Sequence, residues 1–307
     1  MASRITTRTV YGSALQTERG LGLSHNVMAY TTLNQAISEN TIMANLPSPL
    51  TLGMEMLPDY DYTTDSDSIF TKYICIGNGG HKSIVNATDA IPYTLPVAHK
   101  ATDSGLYNMI PFVVRPVADD LTITERSIYG LRRTLNLGGV LYAAYFARKL
   151  DYGNVTPTTN ITNVVGGESS TEQFVPTINN LKPSKPTEDT TYTGSYANIT
   201  APVVVTWTED QIQDIKDACA LLFNNENLAI ISEIALCSGV KKPIAQKYPN
   251  TGTQNPAAVA ANTYFEIVAC QVSMFISTYV PLATADQEYT LSLDLGATEP
   301  LFGTSAT

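Results

Sequence analysis

The chain has 307 residues, of which 44% are apolar and only 15% are charged. That length and apolar content suffice for one large or two ordinary domains with a real core, which excludes a chain that is disordered throughout. The formal net charge of -10 excludes general nucleic-acid binding, because phosphate contacts need Lys and Arg in excess. Ordinary soluble domains are about a quarter charged. Here Thr, Asn, Ser and Tyr fill the difference, and the acidic excess lies mostly in the second half. A neutral, hydroxyl-rich exterior points to coverage by partners, although an extracellular β-rich protein shares this composition.

Residues 1–50 combine Arg4, Arg8 and Arg19 with a turn at Gly20-Leu-Gly22 and a predicted helix from Thr31 through Glu39, closed by Pro47 and Pro49. They read as an N-terminal arm with one short helix. An arm laid on a neighbour and an ordinary domain terminus both fit. From Ile69 the texture is β: Ile69-Phe-Thr-Lys-Tyr-Ile-Cys-Ile76 stops at Gly77-Asn-Gly-Gly80, and Tyr107–Arg115 stops at Pro116. Pro111 makes the second run an edge or irregular strand, since proline cannot donate to a ladder. Glu125–Arg133 follows, and beyond Gly138-Gly139 the run Val140–Asp151 is apolar or aromatic on both faces of a strand. Its Tyr142 and Tyr145 are also helically spaced.

Residues 152–200 are dense in Thr, Pro, Asn and Gly and read as a surface excursion with a few strands of its own. The clearest helix follows Trp207. Thr208 and Gln211 have capping-box spacing, Glu209 and Asp210 occupy the first turn, and Ile212, Ile215, Cys219 and Leu222 recur at three and four. It should end near Asn224-Asn225. Three long strands then follow: Leu228–Leu236, Tyr264–Ile276 and Glu288–Leu295. In the last, Tyr289, Leu291, Leu293 and Leu295 alternate with Glu288, Thr290, Ser292 and Asp294, the pattern of a sheet with one wet or interfacial face. The expected fold is mainly β (α+β), a β-sandwich-like core with a loop-rich inserted subdomain and a few short helices. The expected division is an arm over 1–50, a discontinuous β core over 51–151 and 226–307, and an insertion over 152–225 that ends in a helix.

Candidate chemistry fails its spacing tests. In Gly77-Asn-Gly-Gly-His-Lys-Ser83, His81 rather than Gly precedes Lys82, so a plain glycine turn is expected instead of a phosphate loop. The acidic run Asp59–Asp67 lacks the EF-hand glycine and glutamate, Thr64 and Phe70 standing there, and reads as a solvated loop or contact surface. His25, His81 and His99 lie in unrelated segments, and no Gly-x-Ser-x-Gly elbow occurs. The sequons at Asn86, Asn154, Asn160 and Asn198 are read as coincidence in a Thr- and Asn-rich chain. Cys75, Cys219, Cys237 and Cys270 sit far apart in apolar settings, as buried free thiols would. The N-terminus lacks the apolar stretch of a signal peptide, and no run of about 18 apolar residues could span a bilayer. The expectation is therefore a non-enzymatic protein with no cofactor, no catalytic or metal-binding residue, and no membrane.

Tyr73-Ile-Cys-Ile-Gly-Asn-Gly-Gly80, Glu125–Arg133 with Leu141–Asp151, and Ile230–Leu236 together resemble virion structural proteins encoded among phage tail and neck genes. The stretch from Tyr264 through Tyr279 to Tyr289–Leu295 is similar to the C-terminal strands of baseplate wedge proteins of contractile tails. The resemblance implies a last strand that closes the main β-domain, homodimers or higher homo-oligomers, and contacts with other tail, baseplate or neck proteins. It places the chain in the virion after assembly in the host cytoplasm. Alternatives are a neck or collar protein joining head to tail, or a receptor- or glycan-binding module using residues 152–200. If contacts bury the apolar strand faces, the interface residues are Tyr142, Tyr145, Phe146, Phe275 and Tyr279, although core aromatics follow the same pattern.

Overall fold

A computed structural model describes residues 4–21, 71–85, 92–103, 105–153, 155–178, 190–245, 263–282 and 288–304. The expected helix at Thr31–Glu39, His25, the Asp59–Asp67 run, Asn86 and Asn154 lie outside them. In chain order, β1 (Ile5–Arg8) leads into α1 (Val10–Leu21). Then come β2 (Tyr73–Gly77), β3 (His81–Val85), β4 (Pro92–Pro96), the two-residue β5 (Met109–Ile110), β6 (Val113–Pro116) and one helical turn, α2 (Ile123–Arg126). β7 (Tyr129–Leu137), β8 (Val140–Lys149), β9 (Thr158–Val165), β10 (Glu168–Gln173) and the long β11 (Thr190–Trp207) follow. Last are α3 (Glu209–Phe223), β12 (Ile230–Ala245), β13 (Thr263–Pro281) and β14 (Tyr289–Thr304).

These elements form two compact units, Met1–Leu150 with Trp207–Glu288, and Asp151–Thr206 with Tyr289–Thr307. The first unit's opening segment ends at Leu150. Two elements fall differently from the expected division: α3 belongs to the first unit, and β14 to the second. The reason in each case is what the element buries or pairs with. Ala218 and Leu222 of α3 enter the first unit's core cluster, and β14 hydrogen-bonds to β11. The last strand therefore does not close the main sheet, contrary to what the resemblance implied.

The first unit holds an eight-stranded sheet in the order β1-β13-β12-β2-β8-β6, with β5 added to β2 and β7 to β8. β7 also packs against β13, which is not its hydrogen-bonded neighbour, so the sheet folds over on itself in a sandwich-like manner. Cys75, Leu131, Phe146, Ala235 and Phe275 meet in the interior. The run from Val140 is a strand and not a helix, with Ala143 to Ala147 all buried, as a strand covered on both sides requires. Its hairpin with β7 turns on Gly138 and Gly139 at φ 60° and 87°, values that favour glycine and match the type I′ turn which follows strand twist. Pro111 interrupts the Tyr107–Arg115 run between β5 and β6, and β6 lies at the sheet edge. The α3 capping box is formed by Thr208 and Gln211, and Asn224, left-handed at φ 54°, ends the helix.

The N-terminus departs from a loose arm. β1 is an edge strand of its own chain's sheet, Ile5 lying opposite Ser277. Thr9 is buried and bridges strand to helix: its hydroxyl donates to the Val272 carbonyl at 2.6 Å and accepts from the Gly12 amide at 2.8 Å, capping α1. Gly20 and Leu21 lie in the last turn of α1.

The second unit is a four-stranded sheet in the order β10-β9-β11-β14. Leu291 and Leu293 of β14 are buried while Thr290, Ser292 and Asp294 are exposed, the alternation its sequence predicts.

Phe146→Ala and Phe275→Ala should each cost about 3–5 kcal/mol in urea unfolding, the cost of emptying a packed aromatic site. Tyr142→Ala, at a partly buried position, should cost about 1 kcal/mol.

Candidate functional site

β12 carries a glutamate in the middle of an apolar run, Ile230-Ile-Ser-Glu-Ile-Ala-Leu236. Glu233 is 0% exposed, and an unpartnered carboxylate there would be prohibitive. Four donors surround it. Oε1 accepts from the amides of Asn108 at 2.8 Å and Gly79 at 3.0 Å. Oε2 accepts from the Tyr107 amide at 2.9 Å and from Nε2 of His99 at 2.9 Å. The other ring nitrogen of His99 faces Oδ2 of Asp103 at 3.3 Å, and that oxygen also takes the Lys100 amide at 2.9 Å. The His99 ring lies between two aromatics in near-parallel stacks, Tyr107 at 4.1 Å and Phe275 at 3.9 Å.

The glycine turn is what lets this carboxylate sit there. A Cβ on Gly77 would stand 2.5 Å from Oε1 of Glu233, and one on Gly80 would stand 2.6 Å from the Ser232 carbonyl, so the loop passes too close for any side chain. Asn78 adds a second tie, donating through Nδ2 to the Leu228 carbonyl at 2.8 Å. Gly80 donates to the Ser232 hydroxyl at 2.9 Å. The sequence expectation of a plain glycine turn thus describes the Gly77–Gly80 backbone, and β3 rather than a helix follows it. The turn's partner was not foreseen, although a lone Glu inside an apolar strand was a readable signal.

An acid–histidine–acid chain has the parts of a proton relay, but both Glu233 oxygens already carry two hydrogen bonds each, which fills a carboxylate's acceptor capacity. The His99 and Glu233 side chains are both sealed from solvent. What the arrangement does chemically is hold Gly77–Gly80, the described residues 99–103 and 107–108, and β12 in one geometry.

A second polar centre is built on Asp120. Its carboxylate accepts from Arg132 at 2.7 Å, from the Tyr145 hydroxyl at 2.7 Å and from Arg126. Burial, with Asp120 alongside, pushes the Tyr145 phenol well above its ordinary value. The proposed interface aromatics therefore separate. Tyr145, Phe146 and Phe275 are core residues, at most 1% exposed, and do not present themselves to a partner. Tyr142 is half-buried against the core, and Tyr279 is half-buried with its ring edge-on to His81 at 5.0 Å.

The cysteines are free and buried. Cys75 and Cys237 approach to 4.0 Å between sulfurs, with Cys270 in the same cluster, while burial pushes the Cys219 thiol up to about 12. Among the described residues no group of three or more His, Cys, Asp or Glu side chains is placed to hold a metal ion, and no described helix is long and apolar enough to cross a membrane.

Residues 55–307 match the model of a family of unknown function, DUF7208. The chain belongs to that family. The match takes in the Glu233 cluster, the Gly77–Gly80 turn and every described strand after β1. No curated protein and no solved structure matches the chain.

Glu233→Ala should cost about 3–5 kcal/mol in urea unfolding, because three part-buried amides and a buried histidine lose their acceptor. His81 gives a pH test. Burial holds its imidazole below the ordinary 6.5, against the pull of Glu233. The folded chain thus binds fewer protons there than the unfolded chain, so this contribution is complete above about pH 6.5 and is lost as pH falls below it. His81→Gln should show a smaller drop in urea midpoint between about pH 7 and pH 5.5 than the wild type, although the partial exposure of the ring keeps the difference small.

Proposed function

We propose that this chain is a non-enzymatic structural subunit of a tailed-phage virion, a baseplate wedge or tail component that acts through subunit contacts. The observation that carries the reading is a pair of exposed apolar side chains at the end of the β7–β8 hairpin. Val140 is 47% and Leu141 50% exposed. Tyr142 lies half-buried beside them, and Leu137 pairs with Val140 across the turn. Tyr142 also pairs with Pro116 of the edge strand β6, and Val117, the next residue, is 38% exposed. A tight Gly-Gly turn thus presents two exposed aliphatic side chains, one on each face of β8, while Leu137 and Tyr142 beside them pack on the core. Apolar groups gathered at a projecting corner of a low-charge surface favour a contact with another subunit.

Three further points support the same reading. The chain is sparsely charged, the Glu233 carboxylate at the centre of its most organised polar constellation has its acceptor positions filled by the protein, and patches of its sequence resemble phage tail and neck proteins.

The test is a pair of substitutions at the tip, Val140→Asp and Leu141→Asp. Both side chains are exposed, so the purified variants should keep a wild-type urea midpoint within about 0.5 kcal/mol. Incorporation into purified particles, read by quantitative mass spectrometry, should fall by at least about tenfold, as expected when contacts central to an interface are lost. Particles that contain no copies of the wild-type protein would overturn the proposal.

A further inference from the structure

One face of the second unit's sheet carries a ladder of hydroxyl and amide side chains that the assembly reading does not use. Tyr196 pairs with Thr162, Asn198 with Asn160 and Thr200 with Thr158, which puts these six side chains on the same face. Thr171 and Gln173 of β10 pair with Thr162 and Asn160 and so join it. The rungs are hydrogen-bonded across strands: Thr162 to Thr171 at 2.8 Å, Thr158 to Thr200 at 3.3 Å, Thr298 to Asn198 at 3.1 Å and Thr206 to Thr290 at 3.3 Å. Each such bond uses one donor and one acceptor; Thr162 is buried, and the half-buried Thr158, Asn160, Asn198 and Thr200 keep further acceptor or donor positions for a ligand.

The ends of the ladder are apolar. At one end Tyr192 and Phe302, 57% and 66% exposed, have ring centres 6.1 Å apart. At the other, Pro202 and Val204 border a shallow groove of about 380 Å³ that is also lined by Asp151, Tyr152 and Val155. The opposite face carries Val203, Val205, Leu291 and Leu293, all buried, so the two faces have different chemistry. From Tyr192 to Val204 the strand runs about 40 Å at roughly 3.3 Å per residue. Among the described residues of this unit there is no Lys or Arg, and on the ladder face of the strands Asp294 is the one charged side chain.

We propose that this face binds an extended, neutral carbohydrate. A sugar chain offers alternating hydroxyls, each both donor and acceptor, together with flat C–H surfaces. The Thr, Asn and Gln rungs match the hydroxyls, and Tyr192 with Phe302 supplies an aromatic platform for the C–H surfaces. Among the described residues of this unit an anionic polysaccharide or a nucleic acid would find no cation, and it would meet the Asp294 carboxylate. This ligand is additional to the subunit contacts proposed above and uses different residues.

The full chain would be screened by glycan array against neutral oligosaccharides of about six sugars, with sulfated oligosaccharides and an unstructured neutral peptide as controls. Hits would be quantified by calorimetry. The expected result is binding of one or more neutral oligosaccharides, weakened at least tenfold in Tyr192→Ala, Phe302→Ala and Asn198→Ala at unchanged urea midpoint. It should be retained in Leu141→Asp. Failure to bind any neutral oligosaccharide, preference for the sulfated set or the peptide, or binding that survives all three substitutions would overturn the proposal. Particle incorporation reads the hairpin tip alone, so it separates failure of this inference from failure of the assembly reading.

Discussion

A carboxylate buried in the middle of a strand fixes the geometry of the first unit. Glu233 has no exposed surface, and its two oxygens collect three backbone amides and one imidazole. An unmet buried charge costs far more than an ordinary hydrogen bond contributes, so every segment that supplies a donor is tied to its place. The glycines at 77 and 80 follow from this, because only a chain without Cβ atoms passes close enough to β12. The stacking of Tyr107 and Phe275 on His99 follows too, since the ring must stand upright between β12 and the 103–107 segment to reach both acids.

This arrangement is built like a relay and works as a clamp. Reactive carboxylates and histidines keep an unsatisfied lone pair or proton facing a cleft. Here those positions are filled by the protein itself. The same logic applies to Asp120, which gathers two arginines and a tyrosine beside the β7–β8 hairpin and thereby steadies the strand pair whose tip carries Val140 and Leu141.

Much of the local structure was legible in the sequence. The α3 capping box, its buried stripe and its end at Asn224 all follow from spacing alone, because a helix end is a local problem solved by adjacent residues. The alternation in β14 was legible for the same reason. The α1 helix is not legible in the sequence, because Gly12 and Gly20 dilute its pattern and its anchoring on β13, including the Thr9 bond to Val272, is long-range. In the sequence Glu233 is one polar residue inside an apolar strand, with nothing nearby to mark it as the organising one. Its partners lie at 79, 99, 107 and 108, and no sequence period links them.

What the sequence by itself determined was the class of fold, the places where strands stop at glycine or proline, and the free buried thiols, each set by residue chemistry over a few neighbours. Only the tertiary structure decided which aromatics are core, that α3 and β14 belong to opposite units from those expected, and that a neutral ladder runs along one face of the second sheet. These depend on which strand lies beside which. That is fixed by the summed burial and hydrogen bonding of distant segments, and a short window of sequence does not contain it.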